Sequence, residues 1–389
     1  MASFKDSIGG SLRQYGIMVA LILVVAFFAV FTQGMLLNPD NVATLILQNA
    51  YVLILAIGMV MVIVAGHIDL SVGSLVAFIG GVLGWAIINW NWPWPLAILL
   101  ALVIGVLVGA WHGFWVAYVR IPAFIVTLAG MLVFRGLALM IAGITIAGFD
   151  QGFIQISSGK LPQTFFIAHL DGLTLIIGVI GVAGLIWSQF RSRAAQLKHG
   201  IAAEPIGLMI GKLVVISVAI MAVTVRLAEP RGFVPYLLVL IGVLIFTYSF
   251  VLNRTVFGRH IYAIGGNLNA AILSGINTAR TNFMIFVHMG LLSAIAAIVM
   301  TSRAGAATAS VGQNYELDAI AACFIGGTAV TGGVGRISGA MVGALIMGVL
   351  NMGLSIGKVD PALQQTIKGL VLLGAVVLDL LSKRRAQVA

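Results

Sequence analysis

Apolar residues run in blocks of about 20 along nearly the whole chain, the length a helix needs to cross a bilayer core. Polar residues gather in the short gaps between blocks. Runs such as 17–32 and 96–117 show no period-two alternation, so they read as helices and not as barrel strands. Blocks fall near 17–32, 42–65, 72–89, 95–117, 122–143, 173–190, 213–228, 234–252, 283–302, 317–332, 339–357 and 362–381, about twelve spans in all. Backbone amides in hydrocarbon must find partners within the segment, and a helix provides them. The pattern predicts an all-α, polytopic bundle forming a single transmembrane domain over 1–389.

Composition agrees. Of 389 residues 61% are hydrophobic and 8% charged, against about 25% charged in a soluble domain. The net charge of +10 is spread over short loops, which fits a positive-inside bias better than nucleic-acid binding. With the N-terminus in the cytosol, most basic residues fall inside, among them Lys5, Arg13, Arg120, Arg191, Arg193, Lys198, Lys212, Arg254, Arg259, Arg280, Arg336, Lys383, Arg384 and Arg385. Asp40, Asp150, Asp171, Glu229, Glu316, Asp318 and Asp360 then fall outside. Both termini are therefore expected in the cytoplasm. Trp85, Trp90, Trp92 and Trp94 suit an outer headgroup boundary, and Trp111, Trp115 and Tyr118 an inner one. Lys5 and Arg13 ahead of the first run have the look of a signal peptide, but no A-x-A-like site follows FFAVFTQGMLL, so an uncleaved first span is expected.

Forty-seven glycines punctuate the spans, and Gly105, Gly109 and Gly113, Gly339 and Gly343, and Gly353 and Gly357 recur at every fourth position. Such stripes let helices approach closely, within the bundle or at a dimer seam. Catalytic chemistry is missing. No G-x-x-x-x-G-K-[ST] loop occurs, and His67, His112, His169, His199, His260 and His288 never take metal-ligand spacing. The lone Cys323 supports no disulfide framework. The chain reads as no enzyme.

The longest hydrophilic stretches are 144–172 and 253–282. In the latter, Asn267 or Asn269 can cap a short helix carrying Leu268, Ala271 and Ile272 on one apolar face, with Gly275 as a left-handed stop. A helix of about two turns is marginal alone and needs a surface to dock on. That surface is its own bundle, lipid headgroups or a partner.

The stretch FGRHIYAIGGNLNAAILSGIN (257–277) resembles the cytosolic coupling loop of the ATP-binding-cassette importer permeases of the ribose, xylose and multiple-sugar group. GHIDLSVGSLVAFIGG (66–81), IPAFIVTLAGMLVFRG (121–136) and YELDAIAACFIGGTAVTGGVGRISGA (315–340) continue the resemblance in order along nearly the whole chain. The inserted hairpin at 173–228, with RSRAAQLKHG, departs from the ribose type and points to the xylose or multiple-sugar branch. The resemblance implies a ten-helix core plus two inserted helices, a fold like that of vitamin B12-type permeases, and import of a monosaccharide across the bacterial inner membrane. It implies a second copy of the chain, a periplasmic sugar-binding protein, and a cytosolic ATPase with two nucleotide-binding modules. No cofactor is expected on this chain, since ATP and magnesium belong to the ATPase. Gly258, Arg259, Gly265, Gly266, Asn267, Ala270, Ala271, Ser274 and Gly275 fall on the coupling loop by that resemblance.

Polar residues inside spans are pathway candidates by default. Gln48, Asn49 and Asn351 can hydrogen-bond in both directions, to sugar hydroxyls or to a neighbouring helix. Asp69 and Ser71 either cap the helix that starts near Val72 or line the pathway. Arg135 needs a partner, and Asp69 is one candidate. Glu316 and Asp318 suit the positive end of a late helix and also the docking of the binding protein. Two other readings stand beside the importer: a proton-coupled secondary transporter using Asp69, and a passive channel. The elaborate loop at 253–282 argues against the channel.

Overall fold

A computed structural model describes residues 2–198, 200 and 203–388, with side chains described over 16–198, 200 and 203–377. Lys5, Arg13, Lys383, Arg384 and Arg385 fall outside the described side chains, and His199 outside the described residues. Sixteen α-helices account for most of the described chain. In order they are α1 (Ala2–Phe31), α2 (Pro39–Gln48), α3 (Ala50–Val64), α4 (Val72–Gly84), α5 (Trp94–Ala117), α6 (Ala123–Ala142), α7 (Gln151–Ser158) and α8 (Gly172–Lys198). There follow α9 (Ile206–Ala228), α10 (Tyr236–Arg254), α11 (Val256–Gly266), α12 (Leu268–Leu273), α13 (Thr278–Ala304), α14 (Tyr315–Ile325), α15 (Ile337–Ile356) and α16 (Pro361–Val388). Among the described residues eight stretches are long and apolar enough to cross a membrane, or nine if the bent pair α2–α3 counts as one span.

Every residue of α3 is buried. A helix apolar all round belongs in the centre of the bundle, and α3 sits there against α13, α14 and α15. The pair α8 and α9 packs mainly on itself and turns most of its surface outward. One end of the bundle carries Trp85, Trp90 and Trp92, the short ladder of β1 (Ile146–Ala147) with β4 (Ala306–Ala307), and the hairpin of β2 (Phe166–Ile167) with β3 (Leu170–Asp171). This is the tryptophan face. The opposite face carries α11 and α12.

The glycine stripes are spent inside the protomer. A methyl on Gly105, Gly109 or Gly113 would overlap the backbone of α13 at Gly290, Phe286 and Phe283. Gly339 and Gly343 meet the end of α14 in the same way, and Gly353 and Gly357 seat Phe28 and Phe31. A dimer seam on these stripes is therefore not what their packing provides.

Hydropathy blurred two breaks. The 42–65 block bends by 43° between α2 and α3, at Asn49. The 317–332 block is helical only to Ile325; residues 326–336 form a loop in which Gly327, Gly332 and Gly333 take positive φ. Hydropathy did not reveal the break, because the small glycines, threonines and valines of the loop are tolerated in a membrane helix.

Candidate functional site

Side-chain caps partition residues 253–282. The Thr255 hydroxyl accepts from the Gly258 amide at 3.2 Å and starts α11. At Gly258 itself a methyl would overlap the Leu252 and Val251 carbonyls, so α10 can turn sharply into α11. Asn267 accepts from the Ala270 amide at 3.0 Å and starts α12. The Ser274 hydroxyl donates to the Ala270 carbonyl at 2.8 Å, and Gly275 ends the helix at φ +77°. Asn277 then caps α13 at the Arg280 amide, 2.9 Å away.

Leu268, Ala271 and Ile272, expected on one apolar face, are not buried together. Ala271 is buried, while Leu268, Ile272 and Leu273 are 48, 52 and 88% exposed. Arg259, Asn267, Asn269, Ala270, Ser274 and Arg280 are exposed around them. A two-turn helix is thus pinned through Ala271 and its caps, with an apolar tip held clear of its own bundle.

Behind that tip three backbone segments meet. The Gly333 amide donates to the Val64 carbonyl at 2.8 Å, joining the loop 326–336 to the end of α3. Gly265 of α11 lies against both; a methyl there would overlap the Val64 carbonyl and crowd the Gly333 nitrogen. Gly266, one residue on, has open space. Tyr262 donates its hydroxyl to the Gly335 carbonyl at 2.7 Å. Burial pushes the Tyr262 phenol up and the Arg336 charge opposes this, so the neutral donor form persists at physiological pH.

The intramembrane polar residues divide into local groups. Asp69 accepts from the Ser71 amide at 2.8 Å and the Ser71 hydroxyl at 2.6 Å, ordering the non-helical approach to α4. Arg135 does not pair with it. Its guanidinium donates to the carbonyls of Ala309, Val311 and Gly312 at 2.7, 3.0 and 3.1 Å, fixing the segment that leads into α14. Asn49 donates to the Leu45 carbonyl at 2.9 Å and accepts from the Asn351 amide at 3.2 Å, tying the α2–α3 bend to α15. Gln48, the last residue of α2, is half-buried beside them.

Glu316 and Asp318 are 8 and 3% exposed and turned into the protein. Glu316 packs on Gly73 at the start of α4. Asp318 accepts from the Tyr51 hydroxyl at 2.5 Å and from Lys368 at 3.3 Å. Sequence reasoning passed over Tyr51, Tyr315 and Lys368. Lys368 was findable, since it is a charge inside the apolar run 362–381; the tyrosines carried no such signal.

The sequence matches the family described as branched-chain amino acid transport system / permease component over residues 41–376. It is 41% identical over 377 residues to the xylose transport system permease protein XylH of Escherichia coli (strain K12), covering 97% of this chain and 94% of the relative. The XylH of Haemophilus influenzae is 38% identical over 96% of this chain and 98% of its own length. The ribose import permease protein RbsC of Bacillus subtilis is 33% identical over 95% and 94%. No solved structure matches the chain.

Proposed function

Because this chain belongs to the branched-chain amino acid transport system / permease component family, we propose that its own cargo is a monosaccharide, xylose before others, taken inward at the expense of ATP. It is a multi-pass permease subunit and not an enzyme, and in such systems an ATPase and a substrate-binding protein complete the machine. Near full-length similarity to xylose and ribose permeases supports a sugar over the amino acid in the family description.

The observation that carries the mechanism is the α12 tip. Leu268, Ile272 and Leu273 stand exposed beyond a helix too short to be stable alone, with Arg259 and Arg280 nearby. An apolar tip with a basic rim suits a groove on a cytosolic ATPase. ATP-driven movement of that groove would push α12 and, through α11, the backbone junction of Gly265, Val64 and Gly333. The end of α3 and the loop 326–336 meet there, so one displacement can bias the bundle between inward- and outward-open arrangements.

On this reading the α11–α12 face and both termini would lie in the cytoplasm. The tryptophan face looks to the periplasm, where the binding protein would settle near the recess of about 460 Å³ bordered by Trp92 and Asp150. Two copies of the chain would serve two nucleotide-binding modules, and ATP and magnesium would stay on the ATPase. The inserted hairpin α8–α9 would lie at the lipid side. Asp69, already committed to Ser71, suits capping more than proton relay. The test is sugar uptake into vesicles holding this chain with its ATPase and binding protein. ATP-dependent pentose uptake supports the reading, and uptake that follows a proton gradient without ATP contradicts it.

A further inference from the structure

Tyr51 stands in the first turn of α3 and Tyr315 in the first turn of α14, both toward the tryptophan face. Their rings stack with centroids 3.6 Å apart and planes 16° from parallel. The Tyr51 hydroxyl and the Lys368 ammonium both donate to Asp318 Oδ2, at 2.5 and 3.3 Å. Asn351 lies beside the Tyr51 hydroxyl with its own Oδ1 buried and unpartnered. Two aromatic rings, a carboxylate, an ammonium and an amide thus converge among apolar helices.

Such a cluster is a costly way to hold helices together. An ion pair taken into the membrane interior loses hydration that its attraction barely restores, and apolar packing would serve stability as well. The Lys368 side chain is 26% exposed against 4% for Asp318, so the cluster opens toward the outer surface of α16 on one side. Both helix starts adjoin a break in regular structure. α3 follows the 43° bend at Asn49, and α14 follows the left-handed Asn314 and a segment bound by the Arg135 guanidinium, the β1–β4 ladder and the Ala309 amide on the Ala142 carbonyl.

We infer that Tyr51, Tyr315, Asp318 and Lys368 form the outer gate and first sugar-binding station of the pathway. The inference rests on the sugar-import reading above. A pyranose presents an apolar C–H face to an aromatic ring and equatorial hydroxyls at its rim. Rings 3.6 Å apart admit nothing between them. A sugar ring inserted there makes one van der Waals contact on each side, which requires a separation of about 7–8 Å. The rim hydroxyls then take the place of the Tyr51–Asp318 and Lys368–Asp318 bonds, donating to Asp318 and accepting from Lys368. The Asn351 Oδ1, idle in the closed arrangement, accepts another.

The test uses vesicles containing this chain with its ATPase and binding protein, and measures uptake of radiolabelled xylose, ribose, glucose and leucine, each divided by the amount of assembled complex. Tyr315→Leu is expected to lower xylose uptake about two- to tenfold, the worth of one ring stack, and to alter the pentose-to-hexose ratio, while Tyr315→Phe keeps both. Asp318→Asn is expected to cost about tenfold or more, as hydrogen bonds to a charged group do. Equal scaling of all sugars in Tyr315→Leu, or no change per assembled complex, would overturn the gate and leave the sugar reading intact. Leucine uptake without sugar uptake by the unaltered protein would overturn the sugar reading, and the gate with it.

Discussion

Val64 accepts a hydrogen bond from Gly333 at 2.8 Å, and through this one bond the end of the central helix α3 is joined to a loop 269 residues later in the chain. The bond lies directly under Gly265 of α11. Three glycine-rich or helix-terminal backbones therefore touch without intervening side chains. Such contact transmits displacement stiffly, because there are no rotamers to absorb it.

Gly265→Ala is expected to break that transmission. The added methyl has only backbone to push against, a conflict worth about 1–3 kcal/mol, and ATP-driven uptake should fall severely. Gly266→Ala, which meets nothing within 4 Å, should transport normally. Vesicle uptake of the two variants side by side checks the contrast; equal behaviour would mean that α11 does not bear on α3 and the loop.

Tyr262→Phe removes one neutral hydrogen bond to Gly335 at the same junction. The expected cost is about 0.5–1.5 kcal/mol. It should appear as partial uncoupling, with ATP hydrolysed per sugar rising, and not as loss of folded protein. The ratio of phosphate released to sugar imported is the measurement.

Arg135→Met should lower thermal stability, since it strips the donor from three backbone carbonyls at once at about 1–3 kcal/mol for each buried acceptor left unmade. Asp69→Asn acts on a separate pair with Ser71. The double variant should therefore be additive within about 0.5 kcal/mol. Melting of the detergent-solubilised protein tests this, and a strong coupling energy would restore the direct pairing that the sequence had left open.

Gly109→Leu should unfold the protomer and not merely separate two of them. Its side chain would drive into the Phe286 carbonyl and the Val287 backbone of α13. A stable but monomeric variant, seen by size-exclusion chromatography, would instead mean that the stripe is a dimer seam.

The sequence made legible what is written in short-range chemistry. Caps at Asn267 and the stop at Gly275 are properties of a few consecutive residues, and both stand where expected. Apolar runs likewise located the long helices. What remained hidden depended on contacts between distant segments. Leu268 and Ile272 share a helical face with Ala271 on paper, yet only the bundle decides which of them it covers. Arg135 was recognisable as a residue in need of partners, but three carbonyls on one turn of backbone left no mark in composition. The loop 326–336 passed for the rest of a span because its glycines, with Ala329 and the two valines, are as compatible with a membrane helix as with a turn. Tyr51, Asp318 and Lys368 come from three helices far apart in the chain, so no local pattern could join them.

The central claim is that α12 receives the force of a partner ATPase and that the cargo is a sugar. Its most direct test is sugar-stimulated ATP hydrolysis in nanodiscs holding this chain, its ATPase and its binding protein, with Leu273→Asp as the only alteration. Leu273 is 88% exposed, so the substitution leaves the bundle unstrained while placing a charge on the docking tip. Xylose is expected to stimulate hydrolysis in the unaltered complex, and Leu273→Asp to abolish that stimulation together with ATPase association. Full stimulation in the variant, or hydrolysis indifferent to every sugar in the unaltered complex, would contradict the central claim.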